Sequence, residues 1–186
     1  WALYGYRGFW PTPQGMRVVA AGQAELFYPR LAAGGASLRS QIAGLLVHAE
    51  GGYYRSLDDP DGDDPYIVNA QARGIVGAEK SLGRQWTAGV QMYAEHMLDH
   101  DAYAAAFAPG EAPYDETRAT LTLRIRKTMM NDNLVAALFT YWGVTDEDWH
   151  LRPSLSYRMS DVLQLTAGAS LVDGERLDTL FGQFRD

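Results

Sequence analysis

The chain has 186 residues, with 16 Lys and Arg against 23 Asp and Glu, a net charge of −7. That balance argues against nucleic-acid binding, which asks for a basic patch or a high pI. There is no cysteine, so disulfides, thiolate metal sites and cysteine nucleophiles are excluded. No apolar run reaches about 18 residues, so no transmembrane helix is expected; strand-built membrane proteins stay open.

Taken in chain order, the dominant hydrophobic period is two. Trp86, Ala88, Val90, Met92 and Ala94 alternate with Thr87, Gly89, Gln91, Tyr93 and Glu95. Ala119, Leu121, Leu123, Ile125 and Met129 alternate with Arg118, Thr120, Thr122, Arg124 and Arg126. Leu151, Pro153, Leu155 and Tyr157 alternate with Arg152, Ser154, Ser156 and Arg158, and Leu163, Leu165, Ala167 and Ala169 with Gln164, Thr166 and Gly168. Such alternation predicts strands with one apolar and one polar face. Nine strands are expected, over 1–10, 31–42, 45–56, 66–80, 85–98, 116–130, 134–144, 149–160 and 163–172, with a tenth beginning near Leu180. The strand at 134–144 alternates poorly, because Val135, Ala137, Phe139 and Tyr141 are as apolar as their neighbours. Ala102–Ala108 is the one segment expected to make a helical turn.

The connections sort by length. Short turns fall at Ala43-Gly44, Ser81–Arg84, Asn131–Asn133 and Ser160–Val162. Longer links over 11–30, 57–65, 99–115, 145–148 and 173–179 alternate with them. Short turns on one rim and long loops on the other are the pattern of transmembrane barrels. The fold class expected is therefore all-β, an antiparallel up-and-down transmembrane β-barrel with about nine to ten strands present. Residues 1–186 form a single barrel domain or the C-terminal portion of a larger barrel. Nine strands do not close in the usual even-numbered way, which favours a strand supplied elsewhere. The alternative is a soluble antiparallel sandwich or barrel, but its strands are usually shorter, about 5–6 residues.

In the barrel reading the polar set faces the lumen. Its members include Arg7, Arg39, Arg73, Arg118, Arg124, Arg126, Arg152, Arg158, Glu50, Glu79, Glu95 and Gln91, with Asn69, Gln41, Gln71, Gln164 and His48. Arginines outnumber glutamates there, which sets a field favouring anions. The same residues could instead pair and brace a narrow interior. Trp1, Tyr4, Tyr6, Trp10, Trp86, Trp142 and Trp149 stand where interfacial aromatic girdles would lie.

Sixteen of the 23 acidic residues fall in four long loops: Asp58, Asp59, Asp61, Asp63 and Asp64; Asp99, Asp101, Glu111, Asp115 and Glu116; Asp146, Glu147 and Asp148; and Asp173, Glu175 and Asp178. Within the first, Asp59, Asp61 and Asp63 have the alternate spacing with which carboxylates surround a hard cation, and Gly62 permits a sharp turn. They are the candidate metal ligands, for Ca²⁺, although the distal Glu of an EF-hand is missing. No other cofactor is expected. His96 and His100 each have carboxylates nearby, but no nucleophile elbow or HExxH pattern accompanies them, so no catalytic site is expected.

Several stretches resemble a group of porin-like outer-membrane β-barrel proteins of Gram-negative bacteria. The resemblance is carried by Gly35-Ala36-Ser37-Leu38-Arg39, Glu50-Gly51-Gly52-Tyr53-Tyr54, Asp61-Gly62-Asp63-Asp64-Pro65, Gln91–Met97, Leu151-Arg152-Pro153 and Phe181-Gly182-Gln183-Phe184. It implies an outer-membrane location, with lipid and lipopolysaccharide as surroundings, and assigns no substrate. The function expected is a passive channel for small polar or anionic solutes. The alternatives are a scaffold barrel with a filled lumen or enclosing a partner protein, and an outer-membrane barrel enzyme. A homo-oligomer or a larger complex is compatible with each.

Overall fold

The computed structural model describes residues 1–108, 113–177 and 179–185. It is all-β. The strands are β1 (Ala2–Phe9), β2 (Gly15–Ala20), β3 (Gln23–Phe27), β4 (Arg30–Ile42), β5 (Leu45–Ser56), β6 (Gln71–Ser81), β7 (Trp86–Met97), β8 (Thr117–Met129), β9 (Leu134–Gly143), β10 (Asp148–Arg158), β11 (Gln164–Gly168) and β12 (Leu171–Gly174). A short helix, α1 (His100–Ala105), follows β7, and a 3-10 turn spans Gly182–Phe184.

One sheet of ten strands runs in the order β1-β4-β5-β6-β7-β8-β9-β10-β11, with β12 also paired to β10. The ladders β1–β4, β8–β9, β9–β10 and β10–β11 are antiparallel. Apart from the β2–β3 hairpin and β12, which pairs with β10, each strand pairs with its neighbour in sequence, as an up-and-down connection requires. The β4–β5 turn shows why two residues suffice. Ala43 and Gly44 both have positive φ, 51° and 76°, the twist that brings antiparallel strands straight back. Among the described residues no ladder joins β1 to β11 or β12. The expectation is met as a ten-stranded antiparallel sheet, not as a closed barrel.

Five expectations are corrected in detail. The link 11–30 holds the β2–β3 hairpin, turned at Gly22 with φ 76° and tied across by Arg17 and Glu25 at 3.0 Å. The strand expected from residue 66 starts at Gln71, because Ile67 N–H bonds back to the Asp64 carbonyl and the Asn69 side chain serves other backbone. The ninth expected strand breaks at Ala169-Ser170 into β11 and β12. Near Leu180 no strand forms; Phe181 N–H bonds to the Asp148 carboxylate and the chain makes the 3-10 turn. The helical turn expected at 102–108 is α1, which begins earlier.

The chain divides into two compact units. The first comprises Trp1–Leu38, Glu50–Gly74 and Glu95–Thr117; the second comprises Arg39–Ala49, Ile75–Ala94 and Arg118–Asp186. The first has a small apolar core of Trp10, Leu31, Ala70 and Tyr103. Trp10 stacks on Tyr54 at 6.0 Å, and Tyr103 meets Phe107 edge-on at 4.9 Å. Among the described residues of the second unit no apolar side chain is fully buried. Its sheet is held by ladders and polar contacts, not by a conventional core.

Candidate functional site

Strand register assigns the two faces. Residues opposite one another in an antiparallel ladder point to the same side, and alternation carries that side along each strand. In the second unit, Arg124 pairs with Phe139, which pairs with Arg152. Arg126 pairs with Ala137, which pairs with Ser154, which pairs with Gly168. Thr122, Tyr141 and His150 make a third row. The opposite face carries Leu121 with Trp142 and Trp149, then Ile125 with Leu138 and Pro153, then Ala136, Leu155 and Ala167. This settles β9, where alternation was weak. Val135, Ala137, Phe139 and Tyr141 stand on the polar face among the arginines.

In β4 and β7 exposure runs opposite to that of a water-soluble sheet, whereas in β8 and β10 the arginines Arg124, Arg126, Arg152 and Arg158 are exposed as well. In β7, Thr87, Gly89, Gln91 and Tyr93 are half-buried, whereas Trp86, Val90 and Met92 are exposed. In β4, Leu31, Ala33, Gly35 and Ser37 are buried or half-buried, whereas Ala36 and Leu38 are exposed. Val90 is 43% exposed, Val76 56% and Leu165 55%. A soluble antiparallel sheet hides its apolar face and wets the other. In β4 and β7 the apolar face is the uncovered one.

The polar side chains divide into braced and free groups. In the first unit, Arg73 is braced on every side. Its guanidinium lies 3.0 Å from the Glu95 carboxylate and 2.8 Å from Gln71, and stacks over the rings of Tyr54 (4.8 Å) and Trp10 (5.4 Å). In the second unit, Arg118 pairs with Asp146 at 2.6 Å, and Gln91 bridges His48 (2.9 Å) and Thr122 (3.4 Å). Gly77 supplies the notch that receives His48 and Gln91. Parity places Glu50, Glu79 and Arg39 on the polar side of β5, β6 and β4, with His48, Gly77 and Gly35 respectively. Arg7 is a correction: it pairs with Ala32 and stands with Leu3 and Phe9, on the face away from Tyr4 and Gly35. The edge strand β1 tolerates it because that face is uncovered.

Arg124, Arg126, Arg152 and Arg158 have no acidic partner among the described residues. Arg124 and Arg152 line a recess of about 490 Å³, together with Phe139, His150, Ser154, Thr166 and Ser170. Its depth follows from side-chain size. The row Ala137–Ser154–Gly168 is built of small residues, and the ladder is interrupted at Ala169-Ser170. No Asp or Glu lines it. Sequence reasoning found the arginines but not His150 and Ser170, whose side chains lie 2.6 Å apart. A Ser–His contact is the start of a nucleophilic pair, but no third group orients the second ring nitrogen among the described residues. As it stands the arrangement is a set of hydrogen-bond donors.

The acidic loops are in part self-satisfying. Asp59 is buried, and its carboxylate accepts the N–H of Gly62 (3.1 Å) and of Asp64 (3.3 Å). Burial pushes its pKa up, against those hydrogen bonds. Asp58 also feels burial, but the Arg30 side chain and N–H, each at 2.6 Å, bring its pKa below the ordinary value. Among the described residues no three His, Asp or Glu side chains are grouped to hold a metal ion, so Asp59, Asp61 and Asp63 are not brought together as a site. His96 bonds Thr117 Oγ1 (2.9 Å) and His100 meets the Tyr114 carbonyl (2.9 Å). Burial raises the pKa of the Tyr103 hydroxyl, whose ring lies 6.0 Å from that of His100. Glu111 and Asp178 lie outside the described residues.

Comparison with family models, with curated proteins and with solved structures finds no match. The functional reading therefore rests on geometry and chemistry.

Proposed function

We propose that this chain forms wall of a bacterial outer-membrane β-barrel, with its apolar face against lipid and its polar face lining a water-filled passage. Small polar solutes cross by passive diffusion, and anions are favoured by the unpaired arginines. The observation that carries this reading is the exposure in β4 and β7, where apolar side chains are uncovered and polar ones half-buried, together with the many large apolar side chains left exposed along the sheet. An apolar face of this extent in water would be an aggregation or docking surface. In lipid it is simply solvated. Strand length agrees. The 13 residues of β4 and of β8, at about 3.4 Å each and tilted about 45°, rise roughly 31 Å, close to the roughly 30 Å of a hydrocarbon core.

A second reading is favoured by the braces at Arg73–Glu95 and Arg118–Asp146. In that reading the interior is filled and the barrel is a scaffold. Conductance of the purified, refolded protein in planar bilayers separates the two. Discrete steps with anion preference support a passage. Insertion into the bilayer without any step supports the filled scaffold. Failure to insert at all would overturn both.

A further inference from the structure

The recess on β8–β11 has a chemistry more specific than a basic lining. Arg124 and Arg152 flank Phe139 in one cross-strand row, on either side of it. Two strand separations place their Cα positions about 10 Å apart, a distance over which two arginine side chains converge on one group between them. Neither has a carboxylate partner among the described residues, and the recess wall contains no acid to compete. The remaining polar lining is Ser154, Thr166, Ser170 and His150; its hydroxyls can donate, and the Ser170–His150 contact uses one proton of that pair. Thr166 is already held by Ser156 (2.9 Å) and Ser170 by His150 (2.6 Å), so these hydroxyls are pre-positioned. The volume, about 490 Å³, exceeds that needed by a bare ion and falls in the range of small-molecule pockets.

We propose that this recess binds a small organic dianion, with its two negative charges held by Arg124 and Arg152. Two guanidiniums with no other counter-charge call for two negative charges, and their planar forks suit phosphate or carboxylate oxygens. The remainder of the ligand lies over Phe139 and the small-residue floor. The inference rests on the polar face being wet, as proposed above, but not on conduction.

The test is a direct titration of the refolded protein in detergent with glycerol 3-phosphate, with succinate, with chloride and with neutral glycerol. Tryptophan fluorescence or calorimetry reads binding. The expected result is saturable binding of a dianion at low salt, weakened by added salt, with no binding of glycerol. The first two probes distinguish a phosphate site from a dicarboxylate site. Arg124→Gln and Arg152→Gln should each weaken binding at least tenfold. Arg126→Gln should leave it within about twofold, since Arg126 shares the face but not the recess wall. Far-UV circular dichroism confirms that each variant is folded. No dianion binding, or equal binding by the Arg124→Gln/Arg152→Gln variant, would overturn the proposal. Bilayer conductance without dianion binding would sink this site and leave the passage standing. Dianion binding without conductance would do the reverse.

Discussion

Leu123→Arg asks whether the uncovered apolar face meets lipid or water. Leu123 lies six residues from each end of β8, opposite Thr140, and is 38% exposed. If β8 spans a bilayer, the substitution puts a guanidinium near the midplane, at a cost of about 2–4 kcal/mol. The lower figure is roughly thirtyfold in the folding equilibrium. If the face meets water, an exposed Leu-to-Arg change away from special features shifts stability by about 0.5 kcal/mol or less. Met129→Arg, at the end of the same strand, should cost only about 0–1 kcal/mol in a membrane, because the charge reaches the headgroups. The assay is reversible folding into phospholipid vesicles across a guanidinium chloride series, followed by the fluorescence of the five tryptophans. A Leu123→Arg variant within about 0.5 kcal/mol of the parent, or equal to Met129→Arg, would refute the lipid-facing assignment.

Asp59→Ala should destabilise the 57–65 loop by about 1–3 kcal/mol, because the N–H groups of Gly62 and Asp64 lose their buried acceptor. The pH dependence has a definite sign. Burial raises the folded pKa of Asp59 above its ordinary 3.8, so its contribution is fullest below that value and is lost as pH rises through the folded pKa. Asp59→Asn should flatten this slope, read as amide hydrogen exchange at Gly62 and Asp64 across that window. An unchanged slope would show that another group titrates there. Two glycines make a matched pair. The nearest atoms to a Cβ on Gly77 would be side chains, the His48 ring at 2.5 Å and Gln91 Cγ at 2.8 Å, whereas on Gly35 they would be the Tyr4 ring and also the Gly51 carbonyl at 2.7 Å. Each Gly→Ala change should cost about 1–3 kcal/mol by overpacking. His48→Ala should recover most of the Gly77→Ala loss in denaturant melts, while Tyr4→Ala should not recover Gly35→Ala, since backbone cannot be trimmed. Equal rescue at both positions would contradict the assigned register.

Much of the sheet could be read in advance because strand alternation is written residue by residue. β5, β7 and β8 fall within a residue or so of their expected bounds. The hairpin β2–β3 escaped because Val18-Val19-Ala20-Ala21 does not alternate; its clues were Gly22 and the opposed charges of Arg17 and Glu25. Arg7 was misplaced for a related reason. In Tyr4-Gly5-Tyr6-Arg7-Gly8-Phe9 the aromatics, glycines and arginine mark neither face cleanly. Only pairing with Ala32 decides it. At the recess, the two arginines could be listed from the sequence, but not the fact that Phe139 stands between them. His150 and Ser170 are twenty residues apart and meet only because β10 pairs with the broken strand β11–β12.

The sequence by itself therefore determined the element type, the short turns and the separation of a basic face from acidic loops. Each follows from local stereochemistry: side chains leave a strand alternately, and a two-residue turn needs positive φ. Tertiary structure decided which arginines are neutralised and which are not. Arg73 and Arg118 find carboxylates on other strands or loops, and Arg124 and Arg152 find none among the described residues. That distinction depends on cross-strand register, which no single strand encodes.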